Sequence, residues 1–206
     1  MNAILIAIDT ETGGAGETQC MTHALLSVGM YAELPDGAGG VREFSFHQLI
    51  IPEMGLRVDD EARRVNGFTL TKWRDGGAVN ESVAMMRALN WISMVYAFGG
   101  VEAPQKLQMV AHNAGHDRGF FHAALERHRM LPTVLELVSR RWECSCAALG
   151  FWRRATATPG ECSLDALTAL RTKSTVEAVK AARGVHTADA DALECYRGYQ
   201  WMLAQM

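Results

Sequence analysis

The stretch Ala3-Ile-Leu-Ile-Ala-Ile8 is apolar at every position and breaks at Asp9-Thr-Glu11. A strand that is apolar on both faces must be covered on both faces, so it belongs inside a sheet with helices packed against it. No apolar run approaches the roughly 20 residues needed to span a bilayer, and Asp9 interrupts this one. The run is therefore expected to be a buried strand and not a signal peptide, in a cytoplasmic protein without a membrane partner.

Two further strands are predicted over Thr22 to Glu33 and Val41 to Ile51, joined by the turn-rich Pro35-Asp-Gly-Ala-Gly-Gly40 as an antiparallel meander. A short helix follows between Asp59 and Gly67, with Asp59 at its start and Asn66-Gly67 as a left-handed stop. After a cap at Asn80, Val83, Met86, Leu89, Ile92 and Tyr96 recur at helical spacing until Gly99-Gly100. Leu107 to Ala111 is a short strand. Arg118 to Arg129 is helical, with Phe121, Ala124, Leu125 and His128 on one face and Pro132 closing it. The last third reads as helices over Cys144 to Trp152, Ser163 to Leu170, Thr175 to Ala182 and from Ala188 onward. Gly13 to Thr18 and Arg153 to Gly160 read as exposed loops. No repeat or long linker divides the chain, so one domain over 1–206 is expected, an α/β fold with helices on a central sheet.

The chain has 206 residues, a formal net charge of −3 and five cysteines. Their odd number and irregular spacing argue against a secreted disulfide framework and for a reducing compartment. Cys144-Ser-Cys146 lacks the second pair of ligands that a tetrahedral zinc site needs, so it reads as small buried residues starting a helix. The charge leaves no broad basic footprint for duplex binding. A protein that grips a strand end through bound cations instead needs carboxylates in its site.

Carboxylates do gather in three motifs. Asp9 and Glu11 are two apart on a strand and share a face, where a divalent cation with its preference for hard oxygen ligands would relieve their repulsion; taken alone, the pair also suits a solvated loop. His112-Asn-Ala-Gly-His-Asp117 stands where the strand Leu107 to Ala111 hands over to a helix, a junction at which ligand sites collect, though Asp117 alone could be a helix cap. His186-Thr-Ala-Asp-Ala-Asp191 puts a histidine on a flexible approach to a helix bearing Asp189 and Asp191.

Together and in this order, Ile8-Asp-Thr-Glu-Thr-Gly13, His112-Asn-Ala-Gly-His-Asp117 and His186 five residues before Asp191 resemble the three motifs of the DEDDh branch of the DnaQ-like exonucleases. This family, of the ribonuclease H-like superfamily, includes proofreading subunits of bacterial replicative polymerases and ribonuclease T. The sister branch carries tyrosine four residues before its last aspartate, where this chain has Thr187. Ala62-Arg-Arg-Val-Asn-Gly-Phe-Thr69 and Cys162-Ser-Leu-Asp-Ala-Leu167 are similar to further family segments, so the resemblance runs from about Ile4 to Leu203. Two positions depart from the pattern. His116 replaces the usual aromatic residue before the second-motif aspartate, and the Gly13 to Thr18 loop is glycine-rich where a bulky apolar wedge is common.

The resemblance implies a ribonuclease H-like mixed sheet, with early antiparallel and later parallel strands flanked by helices. It also implies two divalent cations, Mg2+ with Mn2+ able to substitute. Asp9 would bridge them, Glu11 and Asp191 would complete one coordination sphere, and Asp117 would anchor the second through water. His186 would deprotonate the attacking water, and hydrolysis at a 3′ end would release a nucleoside 5′-monophosphate. Thr12 and Asn113 would position the terminal nucleotide. The implied partner is a DNA or RNA 3′ end, with single-stranded or frayed DNA put first, and a DNA polymerase or a second copy of the chain as further candidates. The alternatives are RNA 3′-end trimming, a catalytically silent nucleic-acid-binding or polymerase-docking module of the same fold, and a phosphohydrolase acting on small nucleotides. His112 and His116 flank the site. His23, His47, His122, His128 and the five tryptophans are expected to serve packing or the surface.

Overall fold

The computed structural model describes residues 4–183 and 187–205. Its sheet contains β1 (Leu5–Thr12), β2 (Leu25–Pro35), β3 (Val41–Ile51), β4 (Val79–Asn80), β5 (Leu107–Ala111) and β6 (Val138–Cys144), in the order β4-β3-β2-β1-β5-β6. β1 pairs antiparallel with β2 and parallel with β5; β2–β3 is antiparallel, and β5–β6 and β3–β4 are parallel. This is the mixed sheet expected, with the opening apolar strand in its interior. The helices are α1 (Asp60–Asn66), α2 (Leu70–Asp75), α3 (Glu81–Phe98), α4 (Ala114–Arg127), α5 (Leu131–Leu137), α6 (Ser145–Ala155), α7 (Leu164–Thr172), α8 (Val176–Arg183) and α9 (Ala188–Leu203).

Side-chain alternation along β1 sorts these helices into two layers. Ile6 and Ile8 join a core with Met85 and Ile92 of α3 and with Phe120 and Phe121 of α4. Leu5 and Ala7 join another with Leu149 of α6, Leu167 of α7, and Ala192 and Tyr196 of α9. The same alternation, continued, turns Thr10 and Thr12 towards the α4 layer and Asp9 and Glu11 towards the α9 layer.

Several expectations are corrected. β2 begins at Leu25 and not at Thr22 and runs on to Pro35, and a 3-10 turn (Glu17–Met21) takes in the end of the expected Gly13 to Thr18 loop. Helix α4 begins at Ala114, a turn earlier than its apolar periodicity indicates, which places Asp117 inside the first turn. Pro132 opens α5 instead of closing α4, as proline's fixed φ and missing N–H allow at a helix start. The buried stripe of α3 is Ala84, Met85, Ala88, Ile92 and Val95, while Met86 is exposed; small alanines let the helix approach the sheet and push bulkier residues to its margins. β6, α2 and β4 carry too little apolar periodicity to stand out. Cys144 and Cys146 do begin a helix but are half-buried, and all five cysteines are free thiols.

Candidate active site

The site lies at the carboxyl ends of the parallel neighbours β1 and β5, where open α/β sheets collect ligands. β1 presents Asp9 and Glu11 on its α9 face, and α9 brings Asp191 to meet them in its first turn. One carboxylate oxygen from each of the three lies within 4.8 Å of the others. Asp191 and not Asp189 joins this group; Asp189 is half-exposed, 3.6 Å from the Nδ1 of His47.

A glycine makes this meeting possible. Gly29 on β2 is the register partner of Asp9, and a Cβ there would lie 2.2 Å from the carbonyl carbon of Ala188 and 2.3 Å from the amide nitrogen of Asp189. The start of α9 therefore rests directly on the sheet backbone beside Asp9, and Asp191 follows within one helical turn. A glycine inside a strand is the sequence signal of such an approach.

Asp117 reaches the site from the opposite layer. Its Oδ1 accepts from the backbone N of Thr10 at 3.0 Å and from the Thr10 hydroxyl at 2.8 Å. The carboxylate thus locks onto β1 between Asp9 and Glu11, beside the three converging groups and not among them. Thr10 was not singled out by its sequence, yet any residue between two paired carboxylates must face the other layer, which was the available clue.

These carboxylates strain against one another. Burial, then the charges of Asp117, Asp191 and Glu11, push Asp9 well above the usual carboxylate range, and Arg183 opposes them. Burial lifts Asp117 to about 7 despite the hydrogen bonds from Thr10. Crowded hard oxygen donors held at such a potential are the donor set that a divalent cation satisfies, so the residues present fit the metal that the sequence motifs imply.

Arg183, the last residue of α8, also meets the site. Its Nε donates to Asp191 Oδ1 at 3.1 Å, its Nη2 donates to the same oxygen, and its Nη1 donates to Asp165 Oδ1 at the start of α7. Burial works against its charge, but the two carboxylates outweigh burial and raise its pKa further. Neither Arg183 nor Asp165 was expected from sequence. His186 lies outside the described residues.

A cleft of about 400 Å³ opens beside Glu11, and Thr12, Asn113 and His116 line it together with Gly14 to Gly16, Gln19 and Val65. Thr12 donates its hydroxyl to the Gly14 carbonyl at 2.7 Å, so the 3.1 Å contact with His116 is made by a proton on His116 Nε2. The ring of His116 also packs on Phe120 with centroids 4.8 Å apart. Buried Asn66, also on the cleft lining, donates to the Thr12 carbonyl at 3.2 Å and accepts from Phe68 N at 2.9 Å. Gly67, at φ 66°, ends α1 in the left-handed turn that allows this.

His112, the other flanking histidine, is a brace. Its Nε2–H donates to the Cys162 carbonyl at 2.8 Å and its Nδ1 accepts from the Ser145 hydroxyl at 2.9 Å. Burial lowers its pKa, in keeping with this neutral ring. His23 pairs with Asp59 and His128 with buried Glu81, and His122 packs edge-on against Trp142. The tryptophans likewise pack, as with Trp73, which donates to the Leu26 carbonyl at 2.7 Å, and the Trp152–Trp201 pair.

No protein-family model matches the sequence, and no curated protein matches it significantly. Solved structures do. E. coli exonuclease I in complex with a 5cy-dA13 oligonucleotide is 14% identical at a TM-score of 0.65, covering 99% of this chain and 40% of its own. Cell-death related nuclease 4 (CRN-4) is 13% identical at a TM-score of 0.68, covering 98% and 64%. The nuclease domain of 3′hExo, a DEDDh family member bound to rAMP, is 12% identical at a TM-score of 0.65, covering 98% and 92%. This chain thus spans well under half of the exonuclease I chain and nearly all of the 3′hExo domain. What it shares with these three nucleases is the fold, a mixed sheet flanked by helices as its motifs implied.

Proposed function

We propose that this chain is a divalent-metal-dependent 3′-to-5′ exonuclease that removes nucleoside 5′-monophosphates from single-stranded or frayed DNA ends. The observation that carries the reading is the convergence of Asp9, Glu11 and Asp191 within 4.8 Å, with Glu11 also lining a cleft, on a fold shared with nucleases. A cation held by these three, with Asp117 beside them, would supply Lewis acidity and positive charge to the phosphodiester. Mg2+ is the proposed ion and Mn2+ its substitute.

The chain's own groups divide the remaining work. Thr12 and Asn113 line the cleft wall and are assigned to the terminal nucleotide, with His116 beneath holding the Thr12 hydroxyl. The cleft volume falls in the range of small-molecule sites and suits one nucleotide with an unpaired base. His186, five residues before Asp191, is assigned the proton of the attacking water. DNA is put first because exonuclease I is seen with deoxyoligonucleotides; 3′hExo is seen with rAMP, which makes RNA the necessary comparison.

One assay tests the reading: end-labelled DNA and RNA oligomers of matched sequence, with and without Mg2+, resolved at single-nucleotide steps. Stepwise shortening from the 3′ end is expected with metal only, and Asp9→Ala and Asp191→Ala should each lower it by about a hundred- to a thousandfold, the scale of losing a central electrostatic element of catalysis. Robust turnover by either variant overturns the metal assignment. Cleavage of mononucleotide esters without dependence on a strand would replace the exonuclease with a phosphohydrolase.

A further inference from the structure

Helix α8 contains no buried residue. Its apolar side chains Val176 and Val179 are only partly buried, while its last residue enters the domain and donates to carboxylates on two other helices, Asp165 of α7 and Asp191 of α9. All three side chains are largely removed from solvent, with 13% of Arg183, 10% of Asp165 and 9% of Asp191 exposed. Buried charges persist only where they are paired and well hydrogen-bonded, and the planar guanidinium spreads its donors in a fixed fork that reaches two carboxylates on separate helices, a geometry the compact ammonium does not reproduce. Three residues after Arg183 comes His186, and Asp191 itself is one of the three converging ligand candidates.

We propose that Arg183, anchored by Asp165, is a positioning residue that holds Asp191 in place. The proposal rests on the role given to Asp191 under the proposed function. Asp165 is the informative handle. It bonds Arg183 but stands outside the converging carboxylates, so changing it disturbs the clamp and leaves every candidate ligand intact.

The test uses the full chain with Asp165→Asn and Arg183→Lys, read by hydrogen exchange, Mn2+ titration and oligonucleotide turnover. Amides of α8 are expected to exchange at least about tenfold faster in both variants while the sheet keeps its protection, as for a local opening. Mn2+ affinity should fall about 10-fold for Asp165→Asn, and kcat about 10- to 100-fold with little change in KM, the scale for a group that orients a metal ligand. Arg183→Lys should fail to restore turnover because it keeps the charge and loses the two-carboxylate geometry. Unchanged α8 exchange in both variants, or wild-type turnover by Arg183→Lys, overturns the proposal. If the wild-type chain shortens no oligonucleotide, the exonuclease reading fails, and the clamp is still judged by exchange and Mn2+ binding. Should Asp165→Asn unfold globally, Arg183→Lys decides alone.

Discussion

Thr10 shows how much a single intervening residue contributes to a site of this kind. It carries no charge, and the alternation that sends Asp9 and Glu11 towards α9 sends its hydroxyl towards α4, where it meets Asp117. The bond has two effects. It fixes the carboxylate, and it lowers the Asp117 pKa against the larger rise from burial. Thr10→Val keeps the shape and β-branching but removes the hydroxyl, leaving the backbone N of residue 10 as the remaining donor there. A hydrogen bond to a charged group is worth about 1.5–3 kcal/mol, so turnover should fall roughly tenfold or more in a protein of unchanged circular dichroism. The acidic limb of the pH–rate profile should also move to higher pH, since Asp117 would hold its proton more tightly. A profile and rate equal to wild type would show that Asp117 takes no part. Asp9 and Glu11 were legible as a pair two apart on a strand, and Asp117, His186 and Asp191 through the resemblance of their motifs to a known family. Thr10, Asp165 and Arg183 were not, because what selects them is a partner distant in sequence: Asp117 lies 107 positions from Thr10, and Asp165 lies 18 from Arg183.

At the scale of elements, the long apolar or well-capped segments were legible nearly to the residue. β3 and β5 match their expected bounds, and α1 sits between Asp59 and Gly67 as its stop signal requires. β6 was hidden because it lies at the sheet edge with Arg140, Arg141 and Glu143 exposed, so it lacks the apolar alternation that marks a strand. α2 is only six residues long, and its burial rests on Trp73. The element contact that matters most for the site, α9 on β2, is signalled by Gly29 alone. Gly29→Ala would put a methyl 2.2–2.3 Å from backbone atoms of Ala188 and Asp189. Backbone cannot rotate aside as a side chain can, so the start of α9 must lift and carry Asp191 with it. The expected result is a destabilisation of about 1–3 kcal/mol, in the range of overpacking, together with weakened Mn2+ binding. If Gly29→Ala binds Mn2+ as wild type does, the seating of α9 does not set the ligand geometry.

For the whole molecule, the crowded carboxylates make stability, pH and metal a single linked problem. Asp117 titrates near 7 in the folded chain against an ordinary value of 3.8. Between those pH values the folded chain keeps a proton that the unfolded chain has released. The folded state is therefore favoured at the acidic end, and this contribution is lost as pH rises through about 7; the raised pKa of Asp9 acts in the same direction. The contribution is of the order of a few kcal/mol, because a tenfold difference in proton affinity between the folded and unfolded chain is worth about 1.4 kcal/mol. Metal-free protein should accordingly lose denaturant resistance between pH 5 and 8 by about that amount, once the same loss is measured in Asp117→Asn as the reference. Mg2+ or Mn2+ should reverse the loss at the alkaline end, since a cation that binds the folded carboxylates replaces the proton and stabilises by mass action. Calorimetry at pH 6 to 7 in buffers of different ionisation enthalpy should then detect protons released on Mn2+ binding. A metal-free chain whose stability rises with pH across this range, or metal binding without proton release, would mean that Asp9 and Asp117 are already ionised and that the strain at this edge of the sheet is relieved by something other than a cation.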